Sequence, residues 1–255
     1  MTRIGLISLL FLSGCEQISI RSAVYDEPEM PVSNVGVFRN VGAIEVPAGF
    51  VRLPCRAGSF GYWLRKVPLK SDNQVFLYDG RLKTNQEAQY AVMDISVGSR
   101  DLQQCADAVM RLRAEFLFEQ KRFSDIVFID NLGKRYAWTE GGDKTNFSRY
   151  LDRVFGMCGT ASLEKQLRPG SMKNIEPGDV LIKGGFPGHA MIVTDVVVNE
   201  KGERLFMLSQ SYMPAQDIHV VKNPHANNSP WYKADELQPI VTPEWTFTAR
   251  QLRKW

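Results

Sequence analysis

The clearest periodicity in the chain lies in the segment RDLQQCADAVMRLRAEFL, residues 100–117. Leu102, Cys105, Val109, Leu112 and Phe116 recur at three- and four-residue steps, while Asp107, Arg111 and Glu115 stand four apart on another face. That pattern predicts an amphipathic helix. Asp101 is the expected N-cap, answered by Gln104 three residues on, with Ser99 as the alternative start. The first choice sets Cys105 in the opening turn.

Further along, TNFSRYLDRVFGMCG places Phe147, Leu151, Val154 and Cys158 on one stripe of a second helix ending at Gly159, and ASLEKQL forms a short third one capped by Thr160. DIVFIDNLGKRYAWTE reads as a hairpin turning at Asn131 to Gly133. GDVLIKGG, HAMIVTDVVV and RLFMLSQSY are extended runs joined by FPG and NEKGE, an antiparallel meander. His189 opens its second strand and Gln210 lies near the end of its third. A turn around Glu200 and Lys201 brings those two ends together. Before the first helix, VPAGFVRLPCRAGSFGYWLRKVPLK, QVFLYDGRL and AQYAVMDISVG suggest three or four strand-like segments. The tail, including TPEW, has no period that places it.

A chain of 255 residues with 44% hydrophobic residues can bury one substantial core. The net charge is +3, and acidic and basic residues are interspersed with no basic block, so a nucleic-acid partner is not expected.

The N-terminus changes the picture. MTRIGLISLLFLSGC has an early Arg3 and an apolar run from Ile4 to Leu12, too short to span a bilayer and suited to a signal-peptide core. Its end, LSGC, resembles the bacterial lipobox, which implies acylation of Cys15 and cleavage before it. The expected organisation is a signal peptide over 1–14, a lipidated tether over 15–41 and one domain over 42–255. The lipid would be the contact with a membrane. Glu16, in place of the Asp that marks inner-membrane retention, favours the outer membrane, facing the periplasm.

Export leaves Cys55, Cys105 and Cys158, an odd number in an oxidising compartment. A Cys55–Cys158 bridge would leave Cys105 free, although sequence alone does not establish that pairing. A thiol at a helix N-terminus is placed where amide dipoles favour thiolate. His189, after GGFPG, supplies an imidazole at a turn. Gln210 is the preferred group to orient it, with Asp195 second: Asp195 shares its parity on the strand but lies about 20 Å away at about 3.3 Å per residue. The Cys105 backbone N–H, assisted by Gln104 or Gln103, would hold an oxyanion. His219 and His225 lack matching ligand spacing and GGFPGH lacks the Lys-Ser/Thr of a P-loop, so no metal and no cofactor are assigned.

The order of a cysteine at a helix start, then GDV and GH leading into an apolar strand, then a polar residue on the next strand, resembles the papain-like cysteine hydrolases of bacterial envelopes. That superfamily contains peptidoglycan endopeptidases and amidases. The resemblance implies an α+β fold in which the nucleophile-bearing helix packs against an antiparallel sheet. It implies catalytic roles for Cys105, His189 and Gln210, and peptidoglycan peptides as substrate. More closely, DLQQCADAVMRLRAEFL, GGFPGHAMIVTDV and LSQSYMPAQDIHVVKNP resemble a bacterial lipoprotein family known as domain of unknown function 4846, which supplies no activity. Two departures stand out: Gln104-Cys105-Ala106 where many relatives have Asp-Cys-Ser, and glutamine where His, Asn or Asp is usual.

The leading expectation is a lipid-anchored thiol hydrolase cleaving an amide or related acyl bond, its thiol titrating well below the free value of about 8.5. The alternative is a binding or scaffolding lipoprotein that keeps the fold without catalysis. Acyl transfer to or from lipid is a third reading, disfavoured because Cys105 precedes His189.

Overall fold

The computed structural model describes residues 38–227 and 229–255. The expected signal peptide and Cys15 lie outside these residues. Packing begins ahead of the boundary expected at 41: Phe38 stacks on Tyr90 at 6.0 Å, Asn40 bridges to Pro68 and Val41 is fully buried.

In chain order the elements are β1 (Phe50–Arg52), α1 (Phe60–Leu64), β2 (Gln89–Val92), α2 (Cys105–Glu119), β3 (Val127–Ile129), β4 (Arg135–Ala137), α3 (Lys144–Met157), α4 (Thr160–Gln166), β5 (Arg168–Pro169), β6 (Val180–Lys183), β7 (His189–Asn199), β8 (Arg204–Gln210), β9 (His219–Val221), β10 (Trp231–Lys233), β11 (Ile240–Val241), β12 (Thr246–Phe247) and β13 (Leu252–Lys254). Nine strands form one sheet in the order β2-β9-β8-β7-β6-β13-β5, with β1 added to β7 and β10 to β8. Every pairing in it is antiparallel. The fold is α+β, a large antiparallel sheet with helices on it.

The meander of β6, β7 and β8, the β3–β4 hairpin and the two longer helices lie where the hydrophobic pattern predicts them. The region before α2 differs, because α1 interrupts the expected strands. Ser59 caps it by accepting the Tyr62 N–H at 3.3 Å, and Phe60 packs on Phe116 of α2 at 5.0 Å. The tail that carried no period contributes β10 and β13 to the sheet.

Each face of the sheet buries its own core. Ala190, Ile192, Val180 and Ile182 pack with Val109, Leu112 and Phe116 of α2; Leu181, Met191 and Val193 pack with Phe247 and Leu252 of the tail. A register shift between Val193 and Asp195 inserts one residue into β7 and reverses this alternation, so that Val196 joins the second core and Val197 the first. Asp195 is therefore no longer on the face of His189, as strict parity required. It is fully buried, bonded by Arg52 Nε at 2.8 Å and Arg65 Nε at 2.7 Å. A buried carboxyl left without partners would be strongly destabilising, and the two guanidinium groups supply those partners.

Candidate active site

Cys105 is the first residue of α2, and the N-cap is Gln104, not Asp101 or Ser99. The reason is local: the Asp107 carboxylate accepts the Gln104 N–H at 3.0 Å, closing the helix start one turn later than expected. Asp101 is engaged elsewhere, accepting the Ala215 N–H at 2.6 Å and the Gln104 side-chain amide at 3.1 Å. The shift moves the thiol to the position where helix amides have no intrahelical acceptor. Backbone N–H groups of Ala190, Ala106 and Cys105 itself face the sulfur.

The start of α2 is tied to the loop that follows β8. Ser211 Oγ donates to the Gln103 carbonyl at 2.6 Å, and Gln103 Nε2 donates to the Gln216 carbonyl at 3.2 Å. Arg111 donates to Gln103 Oε1. Both glutamines proposed as oxyanion donors thus have their carboxamides bonded to the scaffold, Gln103 to Arg111 and Gln216, Gln104 to Asp101. The Cys105 backbone N–H is the donor that the helix start leaves at the site.

The other side of the site is the GGFPG turn between β6 and β7. It is pressed onto α4: Glu164 Oε2 accepts the Gly184 N–H at 2.9 Å, and Thr160 Oγ1 donates to the Gly185 carbonyl at 3.3 Å. Thr160 is the first residue of α4, one place after its cap, Gly159. A Cβ on Gly188 would stand 2.5 Å from both the Gly185 carbonyl oxygen and Thr160 Oγ1, so no larger residue fits immediately before the histidine.

The turn delivers His189 to the sheet face opposite α2, in a row with Gln210 of β8 and His219 of β9. His189 Nε2 and Gln210 Oε1 are 2.8 Å apart. Gln210 Nε2 lies 2.7 Å from Glu244 Oε2 and 3.3 Å from His219 Nε2. His219 Nδ1 is 2.9 Å from the Asp217 carbonyl, and Lys83 Nζ is 2.7 Å from Glu244 Oε2. These contacts assign the protons. A carbonyl accepts only, so His219 carries its hydrogen on Nδ1 and its Nε2 accepts from the Gln210 amide. The Glu244 carboxylate takes the second amide hydrogen. Gln210 Oε1 is then the acceptor, His189 Nε2 the donor, and His189 Nδ1 the basic nitrogen. Among the described residues His189 Nδ1 has no hydrogen-bond partner.

The imidazole is enclosed by Tyr212, Trp245 and Phe247, with ring centroids at 4.9, 5.2 and 5.9 Å. Burial pushes the His189 pKa down to about 4, with Lys83 adding to the effect and the Gln210 hydrogen bond opposing it. Burial pushes the Cys105 thiol up to about 11, against the pull of its three backbone N–H groups. Cys105 is 6% exposed. The expectation of a thiol titrating well below 8.5 is therefore overturned: at rest the sulfur is protonated and the imidazole neutral, because desolvation penalises both charges more than the helix start favours one.

Other candidates fall elsewhere. Cys55 and Cys158 are free thiols; Cys158 is buried at the end of α3 and Cys55 is half-buried beside Gly61 and Pro177. His225 is exposed, and no group of three or more metal-ligating side chains gathers among the described residues. A cavity of about 470 Å³ opens beside the start of α2, lined by Ser99, Arg100, Leu102, Gln103, Arg111 and Lys144, and neither Cys105 nor His189 borders it. The structure thus brings His189 to Gln210 and seats Cys105 against Ala190, the residue after the histidine. The sequence reading missed Lys83, His219 and Glu244, the groups that settle which way the Gln210 amide points. His219 entered the sequence analysis only as a metal candidate and was set aside there; its pairing with Gln210 is a product of the β8–β9 register.

These features define an α+β domain with a helix-borne thiol at the strand end that bears a glutamine-bonded histidine. A family model described as a domain of unknown function (4846) matches residues 41–142 and 135–254, and the chain belongs to that family. No curated protein and no solved structure matches it.

Proposed function

We propose that the protein is a papain-like thiol hydrolase, held at the bacterial cell envelope by lipid on Cys15, that cleaves an amide or related acyl bond in peptidoglycan peptides. The observation that carries the reading is the seating of the Cys105 sulfur on the backbone N–H of the residue following His189, whose Nε2 is taken by Gln210 and whose Nδ1 is left basic. With substrate bound, Cys105 passes its proton to His189 Nδ1 as the sulfur attacks the carbonyl carbon. The oxyanion is met by the Cys105 N–H. His189 then returns the proton to the leaving amine, giving a thioester. Water, deprotonated by the same nitrogen, releases the acid and restores the thiol. Since the resting pair is neutral, the imidazole acts as a general base during attack and no preformed ion pair is required.

Peptidoglycan fragments incubated with the wild-type domain are expected to yield new products by mass spectrometry, and Cys105→Ala is expected to yield none. Identical product spectra from the two would remove the cell-wall assignment.

A second reading is favoured by one observation: the thiol is almost enclosed, and burial raises its pKa. A binding or scaffolding lipoprotein that keeps the fold would tolerate such a cysteine as a packing residue. It predicts fragment binding with equal affinity in wild type and Cys105→Ala and no change in the fragments.

A further inference from the structure

We infer that Glu244 is a positioning residue, which holds the Gln210 amide in the one orientation that keeps Nδ1 of His189 unprotonated. The inference rests on the hydrolase reading for its purpose, though not for its geometry.

A carboxamide offers an oxygen at one end and a nitrogen at the other, in nearly the same shape. Turned over, Gln210 would still fill its space, but it would present its nitrogen to His189 Nε2. The imidazole would then move its hydrogen to Nδ1, and the base would be lost. What prevents this is the group behind the amide. Glu244 Oε2, 2.7 Å from Gln210 Nε2, also accepts from Lys83 Nζ, so a turned amide would set its oxygen against an oxygen already held as an acceptor. Lys83, itself 7% exposed, donates to that same oxygen at 2.7 Å and so fixes it as an acceptor. His219 Nε2, fixed as an acceptor by the Asp217 carbonyl, takes the remaining amide hydrogen at 3.3 Å.

The arrangement also accounts for glutamine where relatives of the resembled superfamily carry His, Asn or Asp. A carboxylate at position 210 would lie against Glu244 with little water to separate two like charges, and one of them would have to take up a proton. The neutral amide avoids that conflict and connects the His189 imidazole to the Glu244 charge. When His189 becomes protonated during attack, the carboxyl group two hydrogen bonds away is that of Glu244. Lys83 offsets part of its field, so the predicted role is orientation, with a smaller contribution from charge.

The groups facing the ring from neighbouring elements are Gln210 from β8, His219 from β9, Tyr212 from the loop after β8, Lys83 from the loop before β2, and Trp245 with Phe247 from the tail. Glu244 acts on it through Gln210.

The test uses Glu244→Gln, nearly isosteric, in which position 244 can donate as well as accept and so permits either amide orientation. Glu244→Ala serves as a second variant. With imidazole nitrogens labelled by 15N, the His189 tautomer is read by NMR at neutral pH, together with the rate of Cys105 alkylation by iodoacetamide. Wild type is expected to hold the hydrogen on Nε2. Glu244→Gln is expected to show the Nδ1–H tautomer alongside it and to alkylate about tenfold more slowly, the effect of losing one hydrogen bond to a charged group. An unchanged tautomer in both variants overturns the inference. His189→Ala separates the two claims: if it leaves alkylation unchanged while Glu244→Gln alters the tautomer, the hydrolase reading fails and the positioning role stands.

Discussion

Replacing His189 by alanine is expected to lower turnover at neutral pH by about a thousandfold, within the range that a positioned general base contributes. The reason is the state of the sulfur. A thiolate at rest would keep part of its reactivity without an imidazole, but burial holds the Cys105 pKa near about 11, so a proton must be removed at the moment of attack. His189 Nδ1 is the nitrogen left free to take it. Gln210→Leu is expected to have a smaller effect, because the imidazole remains while its tautomer is released and the Glu244 carboxylate loses a donor. Steady-state rates on a responsive peptidoglycan fragment would measure both. A His189→Ala enzyme within about twofold of wild type would exclude the imidazole from the reaction.

The second large effect concerns stability in acid. Burial holds His189 near about 4 and His219 near about 3, both below the ordinary value of 6.5, so the folded state refuses protons that the unfolded chain accepts. Stability contributed by each neutral histidine is present above 6.5 and declines as pH falls through the interval down to its folded value, at about 1.4 kcal/mol per pH unit. Two buried carboxyls act in the opposite sense. Burial raises Asp179 to about 6 and Asp107 well above its ordinary value, so the folded state takes up their protons first as pH falls. The wild-type profile mixes these terms, and a difference isolates one of them. His219→Gln keeps an acceptor near Gln210 and removes the titration. Between pH 6.5 and pH 4 the wild type is expected to lose about 3 kcal/mol relative to that variant, measured by urea unfolding at both ends. A stability difference independent of pH would contradict a buried neutral His219.

Much of the site was legible in the chain because its parts sit on regular elements. Three- and four-residue spacing located α2 and put Cys105 in its first turn; alternation located β7 and β8 and brought His189 to Gln210. The failures have separate physical causes. Asp101 satisfies every local rule for a cap, but the loop after β8 takes its carboxylate, and Asp107 closes the helix instead. Parity put Asp195 on the face of His189, and a single inserted residue in β7 reverses it. Lys83 and Glu244 lie 161 positions apart and outside any periodic element, so nothing local announces their ion pair. The pKa values depended on burial, a property of the assembled sheet. A helix N-terminus alone argued for a thiolate, and burial of the sulfur outweighs it.

The claim on which the account depends is that the Cys105 thiol and the His189 imidazole share a proton. The most direct measurement is the pH dependence of Cys105 alkylation in wild type and His189→Ala, with Cys55 and Cys158 replaced by serine and alanine. The wild type is expected to show a rate that rises as His189 loses its proton near about 4, stays level across neutral pH, and rises again only toward the thiol pKa near about 11. His189→Ala is expected to lose the level region and keep the alkaline rise alone. Two superimposable profiles, each with the alkaline rise and no level region, would show a buried cysteine that never meets its base.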